Sequence, residues 1–408
     1  MSGDQGLTRR SALRCASGAA AVGLVGRPAR VSAQDATPAG QASPIPGATP
    51  TADITRVPLW KPASDRGIFY GTSLATWQAE NADYLRIVDH EAAILFTEDD
   101  LLWYKLRPTP GADLDFQFGD QFIALAEEQQ QLMFGAHLVW DEGFGEGWTE
   151  DDLWGMDEAT ERGLLFDTVE AVVDRYRGRI AGWVVVNEVI DAHEADGLRR
   201  DYPWYETIGP AFIAESFEIA RSADPDATLV LNEFGLETDD AFDRAADKRE
   251  KAVIVLDGLL DADVPLDAFG VQAHLEAGDF AVKFDPDGYR QFLTDLAERA
   301  VKILITEMDV LDDGVPADIK TRDAAVADTY ARYLEVALDE PAVVLLMTFG
   351  LTDRFTWLQE GYPREDEAER RPLPFDADLR PKPAYDALLG GIAGAAPRDP
   401  LWRSSREG

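Results

Sequence analysis

The chain is 408 residues long, 46% hydrophobic and 10% aromatic, which is enough apolar material for a large buried core. Its formal net charge of −38 argues against nucleic acid or an anionic membrane surface as a partner, because both attract basic patches. The length permits two domains, but α/β barrels routinely use this much chain as one domain.

The first residues have the pattern of an export signal. Arg9 and Arg10 precede a run of small apolar residues at 16–26, and residues 31 and 33 suit a cleavage site. Paired arginines before a weakly apolar run predict a twin-arginine signal peptide over residues 1–33, and hence a secreted protein. The run is too short to span a bilayer. Cys15, the only cysteine, would be removed with the signal, so we expect no disulfide.

Residues 34–58 are rich in Pro, Ala, Thr and Ser and predict a flexible linker. Beyond them, strand-length apolar runs alternate with amphipathic segments such as 211–222 and 249–260, a pattern typical of a buried parallel sheet. A doubly wound sheet would need a Gly-rich phosphate turn after an early strand, and the sequence has none. We therefore predict a single α/β domain, a (β/α)8 TIM barrel, over residues 59–392, followed by a C-terminal tail at 393–408. The predicted strands are 68–73, 92–96, 132–140, 180–187, 228–233, 268–273, 303–306 and 343–349.

Polar or charged residues stand at the ends of most predicted strands. The active site of a TIM barrel is built from the C-terminal ends of its strands, so a pattern shared by six ends indicates a functional site. These residues are Glu98 and Asp99, Asp141, Asn187 and Glu188, Asn232 and Glu233, Gln272 and His274, and Glu307 and Asp309.

Glu188 and Glu307 form the candidate catalytic pair. Hydrolysis of a glycosidic bond with retention needs two carboxyl groups about 5–5.5 Å apart, one to protonate the leaving oxygen and one to attack the anomeric carbon. Each glutamate is predicted to end a strand, the fourth and the seventh, and these two strands face each other across the barrel mouth. Asp309 follows Glu307 by two residues, so strand alternation places both on one side, where His274 can bridge them.

Two segments resemble glycoside hydrolase family 10, the β-1,4-xylanase family. Residues 175–188, RYRGRIAGWVVVNE, are similar to that family's RYKGKI…WDVVNE segment, and residues 305–309, ITEMD, are similar to its ITELD strand. A clan of barrel glycosidases shares these two motifs loosely, whereas the full ordered set is specific to the family and covers most of residues 68–390. The other matching segments are TED at 97–99, LVW at 138–140, NEF at 232–234, GVQAHL at 270–275 and GLTD at 350–353.

The resemblance implies catalytic roles. Glu188 would be the general acid and then the general base, and Glu307 would be the nucleophile. His274 and Asp309 would steady the nucleophile, and Asn187 would hydrogen-bond the sugar 2-hydroxyl, an interaction that strengthens in the transition state.

The resemblance also implies substrate-binding residues. Glu98 would bind sugar hydroxyls upstream of the cut, and Trp140 and Trp357 would stack on sugar rings. A position in the core is the alternative for Trp140, because it ends an apolar strand. The other binding candidates are Asp99, Gln272 and Phe349.

The chain departs from the family around the sugar upstream of the cut. The family's GHTLVWH is here GAHLVWD at 135–141, so Ala136 replaces a His and His137 takes the next position. A shift of one residue turns a side chain to the other face of a strand, so His137 would not substitute unless a bulge re-aims it. Leu102 and Phe349 would make the pocket more apolar. The other replaced positions are Asp99 for Asn, Leu102 for Lys and Phe349 for Trp.

These observations predict a retaining glycoside hydrolase, with xylan as the first choice of substrate. Another β-linked glycan is the alternative, and a non-catalytic carbohydrate-binding barrel is a further one that the retention of both glutamates disfavours. The four histidines show no HxH or HExxH spacing, which disfavours a metal-dependent hydrolase. We expect no cofactor and no metal, a polysaccharide as the partner rather than nucleic acid or membrane, and a monomer.

Overall fold

The computed structural model describes residues 54–404 and residue 406. The predicted signal peptide, residues 1–33, and residues 34–53 of the predicted linker lie outside the described residues. Leu59, at the predicted start of the catalytic domain, is completely buried. Leu59 is also the first buried residue of the described chain, and two residues before it the Val57 carbonyl accepts from the Tyr385 hydroxyl at 2.9 Å.

A closed sheet of parallel strands forms the centre of the fold. Its strands are β1 (Phe69–Leu74), β2 (Ile94–Thr97), β3 (Leu132–Gly135), β4 (Gly182–Asn187), β5 (Thr228–Glu233), β6 (Ala268–Val271), β7 (His274–Glu276), β8 (Lys302–Leu311) and β9 (Val343–Thr348). Strands that are neighbours in the barrel pair in parallel. The first strand, β1, pairs with β2 on one side and with the last strand, β9, on the other, so the sheet closes without a free edge. β6 and the short β7 both pair with β8 and act as one interrupted strand. The predicted (β/α)8 barrel is confirmed.

β3 and β8 differ most from their predicted lengths. β3 ends at Gly135 instead of residue 140, and beyond it Thr97 Oγ1 accepts from the Ala136 N–H at 2.9 Å and donates to the Ala136 carbonyl at 3.1 Å. β8 runs on to Leu311, so Glu307 lies inside the strand and not at its end. The register of β8 against β9 shifts between Ile305 and Met308, and such irregularities re-aim the side chains beside them.

Helices cover the outside of the barrel. They are α1 (Trp60–Ser64), α2 (Thr76–Ala79), α3 (Ala82–Glu91), α4 (Trp103–Leu106), α5 (Gln117–Glu128), α6 (Glu150–Trp154), α7 (Glu158–Arg175), α8 (Pro203–Ile208), α9 (Ala211–Ala223), α10 (Ala245–Asp261), α11 (Phe280–Lys283), α12 (Pro286–Glu298), α13 (Ile319–Ala337), α14 (Leu358–Gly361) and α15 (Pro383–Gly394). The two predicted helices are thus present as α9 and α10. Several helices begin at a side chain that accepts a hydrogen bond from a backbone N–H of the first turn, as at Asn81, Asp157, Asp285 and Asp318. Among the described residues, none of the helices combines the length and apolar character needed to span a bilayer.

The interior of the barrel is apolar and is closed at one end by the C-terminal segment. Phe69, Phe96 and Phe134 belong to the interior cluster, and Trp402 packs against it. The Trp402 ring lies 5.3 Å from the ring of Phe69, the first residue of β1, and its Nε1 donates to Thr228 Oγ1, at the start of β5, at 3.1 Å. The segment therefore covers the end of the barrel where the strands begin.

Arg398 fastens this C-terminal segment. Its guanidinium donates to the carbonyl oxygens of Leu338, Glu340 and Val343 at 2.6 to 2.7 Å. The predicted domain boundary at residue 392 falls inside α15. The described part of the predicted tail thus packs on the barrel as part of the domain.

Candidate active site

Polar side chains from four neighbouring strands meet at the carboxyl end of the barrel. β4 supplies Asn187 and is followed by Glu188, β5 supplies Asn232, Gln272 joins β6 to β7, and β8 supplies Glu307. Asn187 and Asn232 are register partners in the sheet. The ladder hydrogen bonds continue past the strand ends, since Glu307 N–H donates to the Gln272 carbonyl at 3.0 Å. The backbone therefore sets the spacing of these side chains.

Glu188 has an unusual backbone conformation for a residue with a side chain. Its φ of +58° lies in the left-handed region, which costs on the order of 1–3 kcal/mol and is found mostly at functional sites. Two hydrogen bonds hold this conformation: the Glu188 N–H donates to the Asn232 carbonyl at 3.0 Å, and Arg199 Nη1 donates to the Glu188 carbonyl at 3.0 Å. The half-buried carboxyl group is thereby turned away from the strand direction.

Glu307 is a buried carboxylate surrounded by donors. Only 4% of the residue is exposed. Asn232 Nδ2 donates to its Oε1 at 2.7 Å, His137 Nε2 lies 3.5 Å from the same oxygen, and His274 Nε2 lies 3.5 Å from Oε2. Both oxygens therefore face positive or donating groups.

This environment keeps Glu307 ionised. Burial by itself would raise its pKa, but the hydrogen bonds and charges of His137 and His274 outweigh burial and lower the pKa to about 2. A carboxylate that must attack a carbon atom has to be deprotonated, and Glu307 meets this requirement over the whole physiological range.

His274 is itself held by a second carboxylate, as predicted. Register pairing of β7 with β8 places it opposite Asp309, and its Nδ1 lies 2.8 Å from Asp309 Oδ1. Trp357 Nε1 donates to the other oxygen of Asp309 at 2.8 Å. Burial would lower the pKa of His274, but the charge of Asp309 and its hydrogen bond, together with Glu307, raise it well above its usual value. The imidazole thus carries a proton beside Glu307.

Amide groups connect the two glutamates. Gln272 Nε2 donates to Glu188 Oε1 at 3.1 Å, and Asn187 Nδ2 reaches the same oxygen at 3.2 Å. Asn232 Nδ2 donates to both Asn187 Oδ1, at 2.9 Å, and Glu307. One network therefore joins Glu188 to Glu307. Its central member, Asn232, ends a predicted strand but was not assigned a role from the sequence.

A layer below the site fixes Asn187 and Glu188 in place. The Tyr202 hydroxyl donates to the carbonyl oxygens of Asn187, at 2.9 Å, and Val139, at 3.2 Å. Arg199 is 5% exposed and forms an ion pair with Asp141. Arg199 and Tyr202 come from the irregular segment after β4, where no periodic pattern marks them, so sequence analysis did not find them.

His137 corrects an expectation from the sequence. Alternation along a strand predicts that it faces away from the site, but β3 ends at Gly135, so this alternation does not extend to it. The Ala136–His137 peptide bond is cis. The ring is 5% exposed and lies edge-on to Phe96 of the barrel interior, with Nε2 next to Glu307.

The predicted sugar-binding carboxylates, Glu98 and Asp99, directly follow β2. Glu98 accepts from Ser73 Oγ at 2.8 Å and from Gln78 Nε2 at 2.9 Å. Burial, with the neighbouring charge of Asp99, raises the pKa of Glu98 to about 7. Asp99 accepts from the Tyr104 hydroxyl and from Lys105 Nζ, each at 2.7 Å, so both of its oxygens already have partners.

The predicted aromatic residues lie around the same mouth and are half-buried. Trp140 lies 5.0 Å from the His137 ring, and Phe349 and Trp357 contact His274 edge-on at 5.8 and 5.4 Å. Each thus keeps some surface for a ligand. Leu102 is only 2% exposed, so it adds less apolar surface to the pocket than the sequence predicts.

No group of three or more His, Cys, Asp or Glu side chains within the described part of the chain has an arrangement that could hold a metal ion. The chemistry that the site offers is that of two carboxyl groups. One is buried and ionised, the other is half-buried and bonded by amides.

Comparison with known proteins agrees with this geometry. The model of glycosyl hydrolase family 10 matches residues 59–390. Endo-1,4-beta-xylanase B of Thermotoga neapolitana is 29% identical over 316 residues, which are 76% of this chain and 84% of that protein. Endo-1,4-beta-xylanase 5 of Pyricularia oryzae is 27% identical over 335 residues, 82% of this chain and 78% of that protein.

Solved structures show the same fold. Native xylanase 10B from Thermotoga maritima has a TM-score of 0.72 and 27% identity, over 82% of this chain and 98% of that one. Xylanase 10B from Thermotoga petrophila RKU-1, solved in complex with xylobiose, has a TM-score of 0.72 and 26% identity, over 83% of this chain and 97% of that one.

Removing the protonated imidazole of His274 should shift the pH dependence of catalysis. His274→Ala takes away a charge that favours the ionised form of Glu307, so the pKa of Glu307 rises from about 2. We expect the acid limb of kcat/KM for an activated aryl glycoside to move upward by about one pH unit or more. His193→Ala is the control, since His193 pairs with Asp243 and is 61% exposed. An unchanged acid limb would show that His274 does not set the charge of Glu307.

Proposed function

Because this chain belongs to glycosyl hydrolase family 10, we propose that it is a retaining endo-β-1,4-xylanase in which Glu307 is the nucleophile and Glu188 the acid/base. The chain is a glycoside hydrolase, and the proposal concerns its substrate and the roles of its residues. The observation that carries it is the contrast between the two glutamates: the pKa of Glu307 is lowered to about 2, whereas Glu188 is half-buried within an amide network.

In the first step, Glu307 attacks the anomeric carbon while Glu188 gives its proton to the departing glycosidic oxygen. The carbon–oxygen bond to the leaving sugar breaks, and its electron pair stays on that oxygen. Gln272 and Asn187 both donate to Glu188 Oε1, so they hold the acid by one oxygen and leave the other for the substrate.

In the second step, Glu188 removes a proton from water, and the water oxygen attacks the anomeric carbon. The bond between sugar and Glu307 breaks, and its electron pair returns to the carboxylate. Asn232 and His274 are in place to receive this charge, because they already contact the ionised Glu307 in the free enzyme. Two inversions at the same carbon give net retention.

The resemblance supports Asn187 as the residue that binds the sugar at the centre of the reaction. Its amide nitrogen has two N–H groups and uses one of them on Glu188 at 3.2 Å. The second N–H is the donor for the sugar 2-hydroxyl. Glu98, Trp140 and Trp357 surround the mouth and provide a carboxyl group and flat apolar surfaces for sugars further from the cut.

A specific observation favours a second candidate, a retaining glycosidase for another β-linked glycan. Ala136 is completely buried and has no polar group where the family has a His, and Phe349 replaces a Trp. These replacements change how the sugar is recognised and leave Glu188 and Glu307 in place. A non-catalytic binding barrel is less well supported, because the network around both glutamates is intact.

The two glutamates should respond differently to substitution. Glu307→Gly should lower the hydrolysis of an aryl β-xylobioside by about 10⁴-fold or more, and azide should then yield the α-glycosyl azide. Glu188→Ala should impair substrates with poor leaving groups most, and azide should restore turnover and yield the β-glycosyl azide.

Glu276→Gln is the control for these variants, because Glu276 is exposed and lies at the end of β7, outside the amide network. Wild-type rates in Glu307→Gly, or an azide product of the same configuration from both variants, would contradict the assignment of roles.

The choice of substrate can be tested by product analysis. Xylan should be cut internally to a ladder of xylo-oligosaccharides, detected by chromatography at low conversion. Activity on mannan, β-glucan or cellulose should be lower by at least about tenfold. A polymer whose sugars cannot make the polar contacts of the pocket leaves the pocket's buried polar groups unpaired. Hydrolysis of one of these polymers with none of xylan would support the second candidate, and release of a single terminal product would contradict endo action.

We further propose that the protein is exported and meets its polysaccharide outside the cell as a monomer. Arg9, Arg10 and the apolar run at 16–26 support export. Replacing both arginines by Lys should keep the enzyme in the cell, with its specific activity unchanged. Secretion of this double variant at the wild-type level would exclude the twin-arginine route.

A further inference from the structure

His137 is a buried imidazole that lies between two aromatic rings and a carboxylate. Its ring is 5.8 Å from Phe96 and 5.0 Å from Trp140. Neither ring nitrogen has a close hydrogen bond to any other described residue, and Nε2 lies 3.5 Å from Glu307 Oε1. A buried N–H without a partner is unfavourable, and Glu307 Oε1 is the carboxylate oxygen within reach of Nε2.

The two imidazoles beside Glu307 are not equivalent. His274 has a carboxylate of its own, Asp309, at 2.8 Å from Nδ1, and approaches Oε2 of Glu307. His137 approaches Oε1, and the structure shows no second carboxylate beside it among the described residues. Among the described carboxylates, Glu307 is therefore the one that Nε2 of His137 can reach.

We propose that His137 is a positioning residue for the second chemical step, in which it stabilises the Glu307 carboxylate as that group leaves the sugar. This inference rests on the proposed retaining mechanism. No proton leaves His137: the bond between the anomeric carbon and Glu307 breaks, its electron pair returns to Glu307, and the proton of the attacking water goes to Glu188. His137 only donates a hydrogen bond to Glu307 Oε1.

The effect of such a donor is opposite in the two steps. Glu307 loses its charge when it forms the covalent intermediate and regains the charge when the intermediate is hydrolysed. A donor that stabilises the charged form therefore disfavours the first step slightly and favours the second. The similar family motif GHTLVWH has Thr at the position of His137 and His at the position of Ala136.

The test uses the full-length protein and dinitrophenyl β-xylobioside, whose leaving group is good enough for the second step to limit kcat. His137→Leu and His137→Thr should lower kcat by about tenfold or more, the effect of one hydrogen bond to a charged group. KM should fall in parallel, and kcat/KM should stay within about twofold, because kcat/KM reports the first step. Intact-mass spectrometry should show one added xylobiosyl unit on the variants at steady state.

His137→Gln is the matched rescue, because its amide can place an N–H near the position of Nε2, and it should keep a kcat close to that of the wild type. His90→Leu is the control: His90 lies on α3 and pairs with Glu91, away from the site. A parallel loss of kcat and kcat/KM without a covalent adduct, or an unchanged kcat, would overturn the inference. If the wild type released no dinitrophenol at all, the proposed function would fail instead.

Discussion

The structure of the site depends on one constraint, a negative charge that must be kept in a buried place. Glu307 is almost completely covered, and burial alone would favour its protonated form. Three donors from three different strand ends, Asn232, His137 and His274, reverse this preference. A closed barrel brings such distant segments together, because the carboxyl ends of all its strands meet at one mouth.

Much of the fold and of the reactive pair follows from local pattern. Apolar runs between helical segments predict the barrel. The spacing of Glu307 and Asp309 on an extended strand predicts their common side, and His274 lies 3.5 Å from Glu307 and 2.8 Å from Asp309. His137 shows where pattern fails. It lies two residues beyond the end of β3 at Gly135, where the Thr97 side chain bonds the N–H and the carbonyl of Ala136. A tertiary contact of this kind leaves no periodic signal.

The amides around the two glutamates and the positions that depart from the family come from different strand ends. The amides that bond Glu188 and Glu307 come from β4, β5 and the connection between β6 and β7, whereas the replaced positions Leu102, Ala136 and Phe349 follow β2, β3 and β9. The two sets meet at His137, which follows Ala136 in the chain and lies beside Glu307, and at His274, which Phe349 contacts. The left-handed backbone at Glu188 and its hydrogen bond from Arg199 hold the acid in place. Motif matching does not reveal them, because the matching segment ends at Glu188.

The folded domain extends beyond the residues that match the family. The family match ends at residue 390, yet Trp402 packs on the apolar interior and Arg398 bonds three carbonyl groups of the barrel. A protein cut at the limit of the family match would open its interior to water at the end opposite the active site. Water entering there would weaken the packing of Phe69, Phe96 and Phe134, and Phe96 contacts His137. The C-terminal segment thus supports, from the far end of the barrel, the apolar packing around His137.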